Sequence, residues 1–353
     1  MLEKEANAID AVFVATPDFY HSEHVRAVLR KGKHVYCSAP LAHVLFDAKE
    51  MVREHEASGK IMQVGYTRRS NPRYRHAIEN CIRRELLLGR ITHASTQCHR
   101  AVSSLWGFPK REQVPLEALQ KYGYANMEEF INWRWFPSYG AGQLMTLGVD
   151  GLDVCLWAGD FEKVSAIAIG GNDYYHRAVN EDGIALFEFR TRDGQTTRVS
   201  CHVVNTSSLG GTYEELMGEQ GSLRISPIPL RGNTFKREQD ADVLSWNLFE
   251  SRGELAGPIS TPEIAIVACG PSLRVVVGRV PNIDTYWLQG AECDLGGYYH
   301  VENFIQTIRC ENPSMITCPP ATALRTEKAM YAACESLTTK GYVNVELGKN
   351  AVP

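Results

Sequence analysis

The first 65 residues carry the feature that most limits how this chain can fold, an alternation of short apolar runs with amphipathic helical patterns. Residues 9–15 form a Val-rich apolar run, which is typical of a strand buried on both faces of a parallel sheet. A helical pattern follows and ends at Gly32, and residues 34–37 predict the next strand. A second helix over residues 45–58 and a strand over residues 60–65 continue the alternation. This part of the chain therefore predicts an α/β fold with a parallel sheet.

Two turns in this region are the first place to look for chemistry. Residues 16–21 follow the first predicted strand, and residues 37–41 follow the second. Ligands of parallel α/β sheets bind beyond the carboxyl ends of the strands. We therefore expect both turns to lie at the ligand-binding edge of the sheet.

The periodicity changes after a helix that is predicted over residues 72–88, between Pro72 and Gly89. Alternating apolar and polar residues then predict a mainly antiparallel sheet, with strands at residues 91–99, 164–169, 184–190, 197–203 and 222–225. Further helices are expected at residues 144–157, 300–309 and 322–337, and residues 227–297 are expected to be irregular. The fold class is thus α/β plus α+β, a parallel sheet followed by a C-terminal domain built on a large antiparallel sheet.

Composition excludes several classes of function. The chain has 353 residues, of which 44% are hydrophobic and 22% are charged, so it has room for two ordinary globular domains. A net charge of −4 without Lys/Arg runs argues against a nucleic-acid partner. No apolar window reaches the roughly 18 residues of a membrane span, so no membrane partner is expected. Ten cysteines without metal-ligand spacing are typical of reduced thiols in a cytoplasmic protein, and we predict no metal site.

A glycine-rich phosphate loop, G-x-G-x-x-G, normally opens a dinucleotide-binding sheet, because its glycines let backbone N–H groups approach the pyrophosphate. The nearest match, at Gly140 and Gly142, lacks the third glycine and follows an aromatic loop. The chain also begins almost directly on a strand that should be central. From the sequence alone we expect a truncated gene product or a sheet that has lost its first half.

Several short motifs occur together in an order that is characteristic of one protein family. They are Ala15, Thr16 and Pro17 followed by His21, GKHV at residues 32–35, a turn ending at Pro40, VGYTRRSNP at residues 64–72, NWRW at residues 132–135, the helix at residues 142–157 and HVENFIQTIR at residues 300–309. This set resembles the glucose–fructose oxidoreductase/inositol dehydrogenase/MocA (Gfo/Idh/MocA) family. The similarity extends over nearly all of residues 8–340.

The resemblance implies an enzyme that uses NAD or NADP to oxidise a hydroxyl of a sugar, cyclitol or related polyol. It implies that residues 1–70 are the C-terminal half of a Rossmann NAD(P)-binding domain. Residues 71–340 would then form the α/β substrate and oligomerisation domain, with the helices near residues 300–337 packing back on the first domain. A homo-oligomer formed through the C-terminal sheet is also implied.

Site residues follow from the same resemblance, position by position. Cofactor contacts are expected from Ala15, Thr16, Pro17, His21, Ser38, Ala39, Pro40, Asn71, Trp133 and Arg134, and substrate contacts from Tyr66 and Arg69. The catalytic set is Thr146, Asp150 and Asp153, which share one helical face because they are spaced by four and three residues. Structural alternatives remain for these residues. His21 could be a surface histidine and Asn71 a turn residue, Trp133 and Arg134 could anchor a core or an interface, and Asp150 and Asp153 could cap helices or form ion pairs.

The sequence departs from the family at the positions that carry proton chemistry. Ala39 stands where the family has lysine, Thr146 and Asp150 stand where it has aspartate and histidine, and Asp153 matches. In the family a histidine takes the hydroxyl proton and a lysine holds the developing oxyanion. An aspartate can act as the base only if burial raises its pKa or if the substrate proton is unusually acidic.

Three hypotheses remain open from the sequence. The first is an NAD(P)-dependent oxidoreductase of sugars or polyols, with activity altered by these replacements. The second is a non-redox lyase or hydratase on a keto-sugar, in which Asp150 or Asp153 removes an acidic carbon-bound proton. The third is a non-catalytic subunit or truncated gene product that serves as a binding partner.

Overall fold

The fold combines a small parallel sheet with a large mixed sheet. The computed structural model describes residues 4–101, 105–228, 233–238, 241–256, 259–269, 272–282, 285–288 and 296–348. The strands are β1 Ala11–Val14, β2 His34–Cys37, β3 Met62–Val64, β4 Ile91–His99, β5 Phe161–Ile169, β6 Gly183–Thr191, β7 Thr196–Val204, β8 Thr212–Gly218, β9 Gly221–Ile225, β10 Thr234–Arg237, β11 Leu255–Ala256, β12 Ile259–Cys269, β13 Ser272–Asn282, β14 Thr285–Leu288 and β15 Val343–Glu346. The helices are α1 Asp18–Arg30, α2 Leu45–Ser58, α3 Pro72–Arg75, α4 Leu116–Lys121, α5 Met127–Ile131, α6 Gln143–Trp157, α7 Val243–Ser251, α8 Gly296–Arg309 and α9 Pro320–Thr339.

The first unit is a three-stranded parallel sheet in the order β1-β2-β3. Helix α1 forms because Val25, Val28 and Leu29 fall on one face, which is buried. Gly32, at φ +68°, supplies the left-handed residue that turns the chain from α1 into β2. The parallel α/β character predicted for this region is confirmed.

The second unit is a ten-stranded sheet in the order β11-β14-β10-β9-β8-β4-β7-β6-β5-β15. Strands β4 and β7 pair in parallel, and the other neighbouring pairs are antiparallel. In β6, Ala185, Phe187 and Phe189 are buried while Ile184 and Leu186 are exposed, so one face of the sheet is covered and the other is open. Helices α6 and α9 pack on the covered face. The predicted antiparallel-sheet domain is therefore confirmed.

Close approach of α6 to the sheet depends on one glycine. A Cβ added at Gly151 would lie 1.7 Å from Thr96 Oγ1 in β4, so only glycine allows α6 to lie this close to the strand. Helix α9 contacts α2, α6 and β5, and α8 contacts residues 67–70. Both C-terminal helices thus return to the first unit. No helix within the described ranges is long and apolar enough to cross a membrane.

Two expectations about the secondary structure are wrong. The helix predicted over residues 72–88 is α-helical only over Pro72–Arg75, continues as a π-helix over His76–Arg84, and ends before Leu86, which has φ +53°. This left-handed residue turns the chain so that Leu87 and Leu88 enter the core. Residues 227–297, expected to be irregular, include α7 and the strands from β10 to β14. Frequent Gly and Pro residues in this region hid these elements from periodicity arguments.

Candidate active site

The two turns at the carboxyl ends of β1 and β2 are joined by one buried histidine. His21 lies with its Nδ1 2.9 Å from the carbonyl oxygen of Pro40 and its Nε2 2.7 Å from that of Thr16. Burial lowers the pKa of His21 below its usual value, and the two carbonyl oxygens oppose that shift. A neutral ring donates from only one nitrogen, so His21 donates to one carbonyl at a time. Its ring therefore holds the turns together from within the protein.

Glu327 of α9 supports the second turn, and the sequence did not single it out. The backbone N–H of Leu41 donates to its Oε1 at 2.7 Å, and the hydroxyl of Tyr66 donates to the same oxygen at 3.0 Å. Its Oε2 is buried and has no hydrogen-bond partner among the described residues. Burial raises the pKa of Glu327 to about 8, so this carboxyl carries a proton at neutral pH. Its position on the buried stripe with Ala323 and Met330 was the available sequence signal.

Asp18, at the start of α1, is a second acid that the sequence reasoning passed over. Its side chain is 4% exposed, and its Oδ2 has no partner in the described parts of the chain. Burial raises the pKa of Asp18 to about 7, while the charge of Arg134 and a backbone hydrogen bond from Ala141 act in the opposite direction. Ala141 lies just before α6, so Asp18 connects the first turn with the start of that helix.

The polar residues of α6 differ in whether they bond to other protein groups. The hydroxyl of Thr146 is buried without a partner, and Asp150 has no hydrogen bond or ion pair within the residues that the structure describes. Burial raises the pKa of Asp150, with a smaller contribution from the charge of Asp153, while Arg68 lowers it. Asp150 is therefore the carboxylate of this face that remains available to a ligand.

Asp153, by contrast, is engaged with protein groups. Arg69 donates to both of its carboxylate oxygens, at 2.7 and 2.9 Å, and the hydroxyl of Thr326 donates to Oδ1 at 2.7 Å. Asp153 is 1% exposed, and the Arg69 guanidinium lies 5.2 Å from the centre of the Trp157 ring. This bidentate pair joins the segment after β3 to α6 and α9.

Arg68, the neighbour of Arg69, has its own carboxylate partner. It forms an ion pair with Glu214 in β8, and the hydroxyl of Tyr74 donates to the other carboxylate oxygen at 2.6 Å. Arg68 is also the cation that lowers the pKa of Asp150. It therefore provides positive charge next to the available carboxylate while being held in place by β8.

The other expected site residues are largely engaged within the protein. Asn71 caps α3, where its side chain accepts a hydrogen bond from the Arg73 N–H at 3.0 Å. Trp133 lies in a satellite core, and the Arg134 guanidinium stacks 4.1 Å from the centre of its ring. Ala15 of the first turn is exposed, whereas Pro17 of that turn and Ser38 and Ala39 of the second are only partly exposed. Both turns thus keep accessible residues at the carboxyl edge of the parallel sheet.

Comparison with known proteins identifies the family. A sequence model of the family described as "Oxidoreductase family, NAD-binding Rossmann fold" (GFO_IDH_MocA) matches residues 1–66. Inositol 2-dehydrogenase 3 from Saccharopolyspora erythraea is 40% identical over 288 residues, which cover 76% of this chain and 75% of that protein. The chain belongs to the Gfo/Idh/MocA family. The resemblance found in the sequence motifs is confirmed.

Other Gfo/Idh/MocA-like proteins agree with this assignment. The 1,5-anhydro-D-fructose reductase from Ensifer adhaerens is 26% identical over 216 residues, or 61% of this chain and 56% of that protein. An inositol dehydrogenase homolog from Azotobacter vinelandii, crystallised with NAD+, superposes with a TM-score of 0.64 at 16% identity, covering 98% of this chain and 81% of that one, and shows the shared fold. The chain spans only 25–56% of the length of three curated relatives.

Proposed function

We propose that this Gfo/Idh/MocA member is an NAD(P)-linked oxidoreductase that acts on a hydroxyl of a sugar, cyclitol or related polyol. The observation that carries the proposal is Asp150, a carboxylate on α6 that has no partner among the described residues and a raised pKa beside Arg68. The printed names of the relatives, inositol 2-dehydrogenase and 1,5-anhydro-D-fructose reductase, support the substrate class. In this proposal the turns of residues 1–70 supply most of the cofactor contacts, with Asn71, Trp133 and Arg134 adding to them, and the substrate lies between Tyr66, Arg69 and the polar face of α6.

The residues present fit the nicotinamide end of such a cofactor. Three buried polar atoms have no partner in the described chain: Asp18 Oδ2 and Ser22 Oγ in the first turns of α1, and Thr146 Oγ1 on α6. Buried polar atoms normally have hydrogen-bond partners, so these are suited to the amide and hydroxyl groups of a ligand. When bound, the nicotinamide supplies the hydride acceptor. The sequence has no G-x-G-x-x-G motif, so we assign no pyrophosphate contact to these residues.

Asp150 is the group that would take the hydroxyl proton. A general base works best when its pKa lies near the operating pH, and burial moves the pKa of Asp150 in that direction. Arg68 opposes the rise in the pKa of Asp150 and offers positive charge beside it. Ala39 cannot provide the cation that a lysine would place on the second turn, so the oxyanion would depend on Arg68 instead.

The test is reduction of NAD+ and NADP+ across a panel of myo-inositol, aldoses and anhydro-sugars. We expect Asp150→Asn to lower kcat at least ~100-fold while leaving NADH binding unchanged, because a positioned base contributes about 10²–10⁴. Asp193→Asn, in an exposed hairpin turn, is the matched control and should behave as wild type. Absence of both turnover and NADH binding in the wild type and in Ala39→Lys would refute the proposal.

A lyase acting on a keto-sugar is the second candidate, and Ala39 is the observation that favours it. Elimination beside a ketone needs a base for the carbon-bound proton, and the electron pair then expels the β-substituent, so no hydride acceptor is consumed. A carboxylate such as that of Asp150 is a strong enough base to remove this carbon-bound proton. NMR of 3-keto-glycosides incubated with the protein would show the eliminated product. If neither reaction occurs while the chain co-purifies with an intact relative, a non-catalytic role replaces both.

We also propose that two copies associate through the open face of the large sheet. Two apolar side chains on this face are more than half exposed, Ile169 at 66% and Leu186 at 53%. Tyr342, which directly precedes the edge strand β15, is 71% exposed. Exposed apolar patches of this kind mark interaction surfaces. Light scattering after gel filtration should show a dimer or larger oligomer that Leu186→Glu dissociates. A monomeric wild type at micromolar concentration would contradict this proposal.

A further inference from the structure

Three side chains of types that can ligate a metal lie together beside the π-helix, at a place that the proposed active site does not use. His76, Cys81 and Glu254 each offer one donor atom, and these atoms all lie within 4.8 Å of one another. Cys81 is fully buried, whereas His76 and Glu254 are partly exposed. None of the three belongs to the turns or to α6. The sequence predicted no metal here because residues five apart are not a recognised ligand spacing.

The π-helix is what brings His76 and Cys81 together. In an α-helix, residues five apart point roughly 140° away from each other. The i→i+5 hydrogen bonds of a π-helix place such residues almost one turn apart, and π-helical segments are frequent at functional sites. His76 and Cys81 lie in the π-helix His76–Arg84, and Cys81 Sγ is 3.6 Å from His76 Nε2.

Glu254 reaches the same place from the segment between α7 and β11, the edge strand of the large sheet. After α7, Gly253 adopts φ +73°, and the N–H of Glu254 donates to the carbonyl of Phe249 at 3.1 Å. Leu255 then begins β11 and is buried, which fixes the backbone on the far side of Glu254. The carboxylate is thus presented to the π-helix by a backbone that is held on both sides.

The spacing suits a tetrahedral metal centre. Zinc bonds of about 2.3 Å to sulfur and 2.0–2.1 Å to nitrogen, at a tetrahedral angle, separate the two donor atoms by about 3.6 Å. The observed separation between Cys81 Sγ and His76 Nε2 is 3.6 Å. The carboxylate of Glu254 lies within 4.8 Å of the other two donor atoms and would need to approach by up to about 1.4 Å to complete the set, which a partly exposed side chain can do.

The other nitrogen of the histidine also has a partner. Asn80 places its side-chain amide 3.2 Å from His76 Nδ1. Because amide oxygen and nitrogen can exchange places by a flip, the Asn80 oxygen can accept from Nδ1–H and leave Nε2 free to bind metal. Histidine ligands commonly donate their second N–H in this way.

We propose that His76, Cys81 and Glu254 bind a zinc-type divalent transition metal, with water as the fourth ligand. A thiolate with an imidazole suits zinc and its neighbours, whereas Mg²⁺ and Ca²⁺ prefer all-oxygen sites. The metal would fasten the π-helix to the segment between α7 and β11, and so would join the end of the first unit to the edge of the large sheet.

The test uses the full chain after treatment with a chelator. Co²⁺ should bind at one per chain with a thiolate-to-cobalt charge-transfer band, and Zn²⁺ but not Mg²⁺ should abolish that band. Cys81→Ser should remove the band, and Glu254→Gln should weaken binding at least ~10-fold. Cys310→Ser, which removes an exposed thiol, is the matched control and should keep the band.

A second readout protects the test against misfolding of the Cys81 variant. Zn²⁺ should raise the Tm of the wild type and of Cys310→Ser, but not that of His76→Gln, whose partly exposed side chain is easily replaced. A cobalt band that persists in Cys81→Ser, or a Zn²⁺-dependent rise in Tm that His76→Gln retains, would overturn the proposal. So would the absence of Co²⁺ binding to the wild type.

Discussion

The buried ion pair between Arg69 and Asp153 makes it possible to distinguish a carboxylate that stabilises the fold from one that serves the reaction. Asp153 and Asp150 lie on the same face of one helix, yet Asp153 pairs with Arg69 whereas Asp150 pairs with none of the residues that the structure describes. We expect Asp153→Asn to destabilise the fold, and Asp150→Asn to leave stability unchanged or slightly higher. The two variants have the same chemistry and differ only in what surrounds the carboxylate.

The magnitude follows from burial. The side chains of Arg69 and Asp153 are 9% and 1% exposed, and the carboxylate accepts three hydrogen bonds. Removing one partner of a buried ion pair costs about 3–5 kcal/mol, because the remaining charge is left uncompensated. Asparagine keeps one acceptor oxygen, so the lower end, about 3 kcal/mol, is expected. For Asp150 the ionised form is already disfavoured by burial, so neutralising it removes a cost.

The assay is urea unfolding at pH 7, followed by circular dichroism and by tryptophan fluorescence. Asp153→Asn should lower the free energy of unfolding by about 3 kcal/mol. The double variant Arg69→Met/Asp153→Leu should recover most of it, because an apolar pair leaves no buried charge. In activity assays the order should reverse, with Asp150→Asn losing kcat.

Two results would refute this reasoning. The first is an Asp153→Asn variant whose unfolding free energy lies within 1 kcal/mol of wild type, which is too small for a buried charge left unpaired. The second is a double variant that is less stable than Asp153→Asn, because an apolar replacement should relieve Arg69. A selective loss of kcat in a stable Asp153→Asn would instead assign that residue to catalysis.

Three further predictions concern pH and packing. Burial raises the pKa of Glu327 from its usual 4.5 to about 8, so the folded state holds a proton that the unfolded state loses. Stability should fall by about 5 kcal/mol as pH rises from 4.5 to 8, and urea unfolding of Glu327→Gln should lack this loss. His300 of α8 acts in the opposite direction, because burial lowers its pKa from 6.5 to about 4. Its stabilisation, about 3 kcal/mol, is present above pH 6.5 and is lost as the pH falls to 4. His300→Gln should therefore flatten the acid side of the curve of unfolding free energy against pH, and an unchanged curve would contradict the assignment. Gly151→Ala should destabilise the fold by about 1–3 kcal/mol in thermal unfolding, because the added Cβ would overlap Thr96. Gly297→Ala is the control and should not destabilise the fold, because the space around Gly297 is open. Equal Tm values for the two variants would be inconsistent with this packing.

The local pattern of the sequence determined much of the fold. The helix Leu45–Ser58 and the strand Ile91–His99 have the bounds that periodicity predicted, because amphipathic spacing is a property of neighbouring residues. The family could also be identified from short motifs, because turns at the carboxyl ends of strands are contiguous in sequence. Where Gly and Pro interrupt the pattern, as in residues 227–297, the prediction was wrong.

Tertiary structure alone decided which polar groups are available. The sequence placed Thr146, Asp150 and Asp153 on one helical face, but only the fold pairs Asp153 with Arg69 and leaves Asp150 without a partner in the described part of the chain. Glu327 bonds to Leu41 across 286 residues of chain. Periodicity describes residues within a few turns of one another, whereas the pKa of a carboxyl depends on burial and on charges brought from distant segments. The helical face was therefore readable from the sequence, and its chemistry was set by the packing around it.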